Sequence, residues 1–321
     1  MSFDTVIPRR DALKGLAAAS LVNPFTAAQA ATPVVGDGAK PFSIHIFSKC
    51  LQFLNWTELA AVTADLGLDG VDLTVRPDGH VEPGRVKEDL PKAVEALRKR
   101  GIQCPMMTTK ITKASDAETR TLLETAGKQG IRYYRMDWLS YPNDQSIPAA
   151  MKQFERQLAD LAKLNQQLNV IGAYQNHDGT RFGSAIWDVA QVLSTVNSPA
   201  MGSQYDIRHA MVEGGNSWPL GLRLIQPHIR ILAIKDFVWE KVNGQWKVIN
   251  VPLGQGMVDF PAFFKLVKQY NLQVPLSFHV EHPLGGAQEG HRTISIPREE
   301  VYKAISKDLV VLRGYLKEAG L

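Results

Sequence analysis

Eight times between Ser43 and the C-terminus the sequence passes from a short apolar run into a segment of helical period. The runs are Ser43–Phe47, Gly70–Val75, Gln103–Thr108, Ile131–Arg135, Val170–Tyr174, Ala200–Tyr205, Arg230–Lys235 and Pro275–Val280. Each is too short for a typical helix and is followed by turn or polar residues, the pattern of a buried strand. Between them, apolar residues recur at three- and four-residue spacing. Leu59, Val62 and Leu66 mark a helix over Trp56–Leu66 that stops at Gly67; Leu90, Val94 and Leu97 mark one over Val86–Arg100 that stops at Gly101. Further helices are expected over Ser115–Lys128, Ile147–Leu168, Ala185–Val196, Pro219–Gln226, Phe260–Tyr270 and Arg298–Ala319. A repeated strand–helix unit implies parallel strands joined by right-handed crossovers. Eight units in about 280 residues predict a single-domain α/β fold, a (β/α)8 TIM barrel over residues 42–321. An open doubly wound sheet is the weaker alternative, because Phe47-Ser48-Lys49-Cys50 stands where a Gly-rich phosphate loop would follow the first strand.

The first 30 residues read as a targeting segment that does not belong to the barrel. Arg9 and Arg10 precede the mildly apolar Leu16–Val22, and Ala28-Gln29-Ala30 is a small-x-small cleavage site. Pro8-Arg9-Arg10-Asp11-Ala12-Leu13-Lys14 is similar to a twin-arginine export signal; an ordinary secretory signal is the alternative. Either one makes the mature chain periplasmic or secreted. Residues 31–41 are expected to be a flexible lead-in. No later stretch reaches the ~18 apolar residues of a membrane span. The formal charge of +4 is spread along the chain without a basic block, so nucleic acid is not an expected partner. Cys50 and Cys104 have no zinc spacing and read as buried free thiols, with pairing left open.

The second half of the repeat carries the chemistry. Four apolar runs end abruptly on ionisable or metal-binding groups: Gln175, Asn176 and His177; Asp206 and His209; Lys235 and Asp236; Glu281 and His282. In a parallel barrel such endings converge at one mouth. Glu281 follows a run that should be buried, where a carboxylate needs a cation or hydrogen bonds. The two-residue period of a strand puts His279 on its face. Asp206 suits a divalent ion or an acid/base pair, or else caps the next helix. Lys235 can act as a base or hold an oxyanion, or simply pair with Asp236. In the first half, His45, Arg76, His80, Thr108 and Arg135 are candidates for gripping hydroxyls or an anionic group. The expected substrate-binding set adds His177 and His279.

Three segments together resemble the xylose isomerase-like sugar phosphate isomerase/epimerase superfamily. Val251-Pro252-Leu253-Gly254-Gln255-Gly256-Met257-Val258-Asp259-Phe260 looks like its "PLGxGxxDF" segment, Ile234-Lys235-Asp236 its "HxKD", and Tyr205-Asp206…His209 its "DxxH". The resemblance covers the chain from about Ser43 onward. It implies a divalent ion, often manganese, held by residues from strands five to eight. Asp206 and Glu281 match that ligand pattern. Gln175 stands where a ligand Glu is common, and Ala233 where the His of "HxKD" is usual; His209, His177 or His279 could take over that role. The implied chemistry is removal of a proton beside a carbonyl, with Glu281, Lys235 and His209 as the catalytic group. For an exported protein the expected substrate is a non-phosphorylated keto-sugar, isomerised or epimerised. The same step would make a 3-keto-glycoside lyase, with elimination at C1 after loss of the C2 proton. A barrel that binds carbohydrate without turnover is the alternative of another class. The sequence leaves the oligomeric state open.

Overall fold

A computed structural model describes residues 42–321; the expected export signal and lead-in lie outside the described residues. Eight parallel strands close into a barrel, each hydrogen-bonded to its neighbours through the full circle. In chain order they are β1 (Ile44–Phe47), β2 (Gly70–Thr74), β3 (Gln103–Thr108), β4 (Tyr133–Arg135), β5 (Ile171–Gln175), β6 (Met201–Asp206) and β7 (Ile229–Ile234), then β10 (Leu276–Phe278), which returns to pair with β1. The predicted TIM barrel is therefore the fold. The crossover helices are α1 (Trp56–Asp65), α2 (Val86–Arg98), α3 (Ala117–Lys128), α4 (Ile147–Leu168), α5 (Ile186–Val196), α7 (Trp218–Ile225) and α8 (Phe260–Gln269), with α9 (Arg298–Ala319) closing the chain.

Two elements go beyond the predicted repeat. A short helix α6 (Ile207–Gly214) starts directly from the end of β6. A two-stranded antiparallel hairpin, β8 (Asp236–Val242) and β9 (Gln245–Val251), is inserted between β7 and α8. Its turn is Asn243-Gly244, with φ of 50° and 80°. Positive φ at both central residues is the type I′ geometry that matches strand twist. The Asn-Gly pair between alternating residues is the sequence signal for this hairpin.

The inside of the barrel is filled in layers. Met106, Ala173 and Ile231 come from β3, β5 and β7 and pack together beneath the mouth. Contributions from alternate strands are how a barrel of this size fills its interior. One strand period further on, the same faces carry Thr108, Gln175 and Ala233. The apolar floor thus gives way to polar groups on two of the three strands. Helices pack outside the strands around a second, larger core that includes Phe260, Phe263, Phe264 and Leu309. Cys50 is buried and Cys104 half-buried; both are free.

Candidate active site

Lys235, directly after β7, is the hub of the mouth. Its Nζ lies 2.8 Å from Glu281 Oε2 and 3.4 Å from Asp206 Oδ2. A second ammonium, from Lys49 in the turn after β1, pairs with Glu281 Oε1. Asp206 ends β6 and works with both oxygens: Oδ1 accepts from the His209 N–H at 3.2 Å and caps α6, while Oδ2 accepts from Gln175 Nε2 at 2.8 Å. The capping role and the site role therefore coexist in one carboxylate. Asn176 fixes the strand ends that carry it, accepting from the Asp206 N–H at 2.8 Å and donating to the Asp206 carbonyl at 2.9 Å. Lys49 was not among the sequence candidates, although its place just past a strand end was the available signal.

Electrostatics sort these groups by charge. Burial raises the Glu281 carboxyl, but Lys235 and Lys49 outweigh it and hold it well below the usual range. Burial likewise opposes ionisation of Asp206, and its neighbours His209, Lys235, His279 and Arg208, of which Lys235 and Arg208 carry charge at neutral pH, bring it down to about 2. His209 and His279 are pushed to about 3, chiefly by burial, so both are neutral imidazoles at neutral pH. His279 Nδ1 is 3.9 Å from Glu281 Oε1, and His209 Nε2 is 3.5 Å from Asp206 Oδ2. Neither nitrogen has a hydrogen-bond partner among the described residues. Buried polar atoms left in this state are unusual, and both face the carboxylates.

The remaining sequence candidates divide. Thr108 donates to Asp72 Oδ1 at 3.1 Å, and Ser277 to Asp72 Oδ2 at 2.6 Å, below the Glu281 cluster. Arg135 donates from Nη1 to Gln175 Oε1 at 2.9 Å and so joins the mouth. Arg76 lies beside it over the Phe47 ring. His177 stacks on His209 with ring centroids 3.9 Å apart. Two histidines stand apart. His45 packs deep in the barrel, where Gly70 leaves room for its ring. His80 bonds Thr74 Oγ1 at 3.1 Å and braces the loop after β2. Asp236 is also structural: its buried carboxylate accepts from the N–H groups of Phe237, Gly254, Gly256 and Val258 at 2.8–3.1 Å. A Cβ at Gly256 would meet Asp236 Oδ1 at 2.2 Å, so glycine is required there.

The residues offered for a divalent ion, Gln175, Asp206 and Glu281, are engaged with neighbouring side chains. Gln175 turns its amide nitrogen toward Asp206, because its oxygen is held by Arg135. The Lys235 ammonium already lies between Asp206 and Glu281, and Ala233 supplies no imidazole. A separate cluster of His177, Asp178 and His209 brings three donor atoms within 4.8 Å of one another. Arg208 enters that cluster, with Nη1 2.8 Å from Asp178 Oδ2 and 2.7 Å from His209 Nδ1. Its guanidinium is the cation that serves the carboxylate there.

No curated protein matches the chain in sequence. Solved structures do match in fold. A xylose isomerase domain protein from Planctomyces limnophilus is 16% identical with a TM-score of 0.62, over 87% of this chain and 98% of that one. A 3-keto-D-glucoside 4-epimerase from E. coli is 12% identical, with a TM-score of 0.63 over 84% and 99%. A D-allulose 3-epimerase from Methylomonas sp. is 16% identical, with a TM-score of 0.64 over 87% and 99%. The family model for xylose isomerase-like TIM barrels matches residues 60–296, which span the polar strand endings from β2 to Glu281. The chain belongs to the xylose isomerase-like TIM barrel family.

Proposed function

We propose that this protein is a keto-sugar isomerase or epimerase that removes a proton beside a carbonyl. The observation that carries this is the shared ammonium of Lys235 between Glu281 and Asp206 at the barrel mouth. In this reading the substrate carbonyl oxygen takes a hydrogen bond from Lys235, and Glu281 accepts the neighbouring carbon-bound proton. The negative charge that develops on oxygen is met by the lysine, a preorganised cation in a site shielded from water. Engaging Lys235 with substrate also withdraws part of the field that holds the Glu281 carboxyl low, which strengthens the base as the reaction proceeds. The neutral His209 is placed to bond a second substrate oxygen. Return of the proton to the former carbonyl carbon, with the neighbouring hydroxyl's proton passing to the former carbonyl oxygen, isomerises the sugar; return to the opposite face of the original carbon epimerises it.

Two sugar epimerases among the structural neighbours support the substrate class. The export signal expected of the first 30 residues favours a non-phosphorylated sugar, and N-terminal sequencing of periplasmic or secreted protein tests that location. The proposed reaction is tested by incubation in D2O with free ketoses and with 3-keto-glycosides. Deuterium entering the carbon beside the carbonyl, lost in Glu281→Gln, is the expected result. Release of the aglycone would mark the lyase instead. Binding of sugar with no deuterium in any of them would leave a carbohydrate-binding barrel and sink the enzyme.

A further inference from the structure

We infer that the substrate carries a carboxylate, seated against Arg135, Arg76 and Arg181 beside Trp138. This rests on the keto-sugar reading, since the acid group is placed on the molecule that meets Lys235 and Glu281.

The starting point is Arg135. It is only 3% exposed, and its Nη1 is committed to Gln175. Its Nε and Nη2 have no hydrogen-bond partner among the described residues. Those two N–H groups form one edge of the guanidinium, the fork that takes both oxygens of a planar carboxylate. A buried donor pair left unused is costly unless a ligand supplies the acceptors.

The surroundings repeat the message. The Arg135 guanidinium lies 4.6 Å from the Trp138 ring centroid and that of Arg181 lies 4.9 Å from it. Arg76 and Arg135 both lie within 6 Å of the Phe47 ring, at 5.7 and 5.9 Å. Trp138 Nε1, another donor, is buried without a partner. Among the described residues, none of the three arginines forms an ion pair. The carboxylates near them are engaged elsewhere: Asp137 with Lys110, Asp178 with Arg208, and Glu281 with Lys235 and Lys49. Asp72 is held by Ser277 and Thr108. Arg76 and Arg135 repel each other, no nearby carboxylate pairs with either, and an anion with two coplanar oxygens relieves that repulsion and fills the fork.

Three ketoses that differ only at C6 test this: D-fructose, D-fructuronate and D-fructose 6-phosphate, with binding read from tryptophan fluorescence. D-fructuronate should bind at least about tenfold tighter than D-fructose. Arg135→Met should remove that preference, and Arg135→Lys, which keeps the charge but not the fork, should lose most of it. If Arg135→Met does not fold by circular dichroism, Arg181→Gln should still weaken the acid more than the neutral sugar. Equal binding of acid and neutral sugar, preference for the phosphate ester, or binding of none at millimolar concentration would overturn the inference. Preference for the acid with no deuterium exchange would leave it standing while removing the proposed reaction.

Discussion

The ammonium of Lys235 is shared between two carboxylates that leave the barrel from different strands, 2.8 Å from Glu281 Oε2 and 3.4 Å from Asp206 Oδ2. Asp206 is buried and the Glu281 side chain is 12% exposed, and neither could stay ionised there without compensating charge. One cation thus couples the base to its neighbour, and removing it should alter both.

Glu281→Gln should lower solvent deuterium exchange into the substrate by about 10²–10⁴-fold, the usual contribution of a positioned general base. Lys235→Met should also slow exchange. It should in addition move the acid limb of the pH–rate profile upward, because loss of the nearby cation raises the Glu281 carboxyl and protonates the base at higher pH. A pH–rate profile of Lys235→Met with an unmoved acid limb would refute Glu281 as the base.

Manganese titration followed by calorimetry should give no stoichiometric binding between Asp206 and Glu281 in the native protein, where the lysine takes the cation's place. The double change Lys235→Ala with Ala233→His removes the ammonium and supplies an imidazole, and should gain one site. One equivalent bound by the native chain and lost in Glu281→Gln would contradict the fit described for these residues.

Stability should fall as pH drops through the ordinary histidine range. His45 and His80 are lowered to about 4, and His209 and His279 to about 3, each mainly by burial. Their ordinary value is 6.5, so below that pH the unfolded chain takes up protons that the folded chain refuses. Each such proton removes ~1.4 kcal/mol per pH unit. Asp206, at about 2 when folded, adds its own loss as pH falls from about 4 toward 2. Urea midpoints at several pH values measure the sum; a flat profile between pH 7 and pH 5 would count against neutral burial of these histidines.

Asp236→Asn should destabilise the fold by about 3 kcal/mol, since an amide cannot accept at both ends from the N–H groups that now converge on the carboxylate. Thermal melting reads this directly. A change near zero would mean that the loop from Gly254 to Val258 is held by other contacts.

The barrel was legible because its signals are local. Apolar runs stop where polar groups must reach water or a ligand, and glycines stop the helices. The hairpin was missed although Asn243-Gly244 announces it, because the eightfold count left no place for an insertion. The candidate site was legible in its second half for the same reason as the strands: Asp206, Lys235 and Glu281 each follow a buried run. Pairings were not. Nothing in the order of residues says that Lys49 would reach Glu281, 232 positions away, or that Gln175 would turn its nitrogen toward Asp206. Such choices are settled by three-dimensional proximity. His45 and His80 show the converse, since an imidazole near a strand reads alike whether it faces the mouth or fills a gap.

The loop wrapped around Asp236 has a bearing on kinship. Pro252-Leu253-Gly254-Gln255-Gly256 and Asp259 are the most recognisable letters of the chain, yet the hydrogen bonds of Gly254, Gly256 and Asp259 serve the join between hairpin and helix α8. Likeness carried by those letters therefore speaks for the frame of the barrel and not for the chemistry at its mouth.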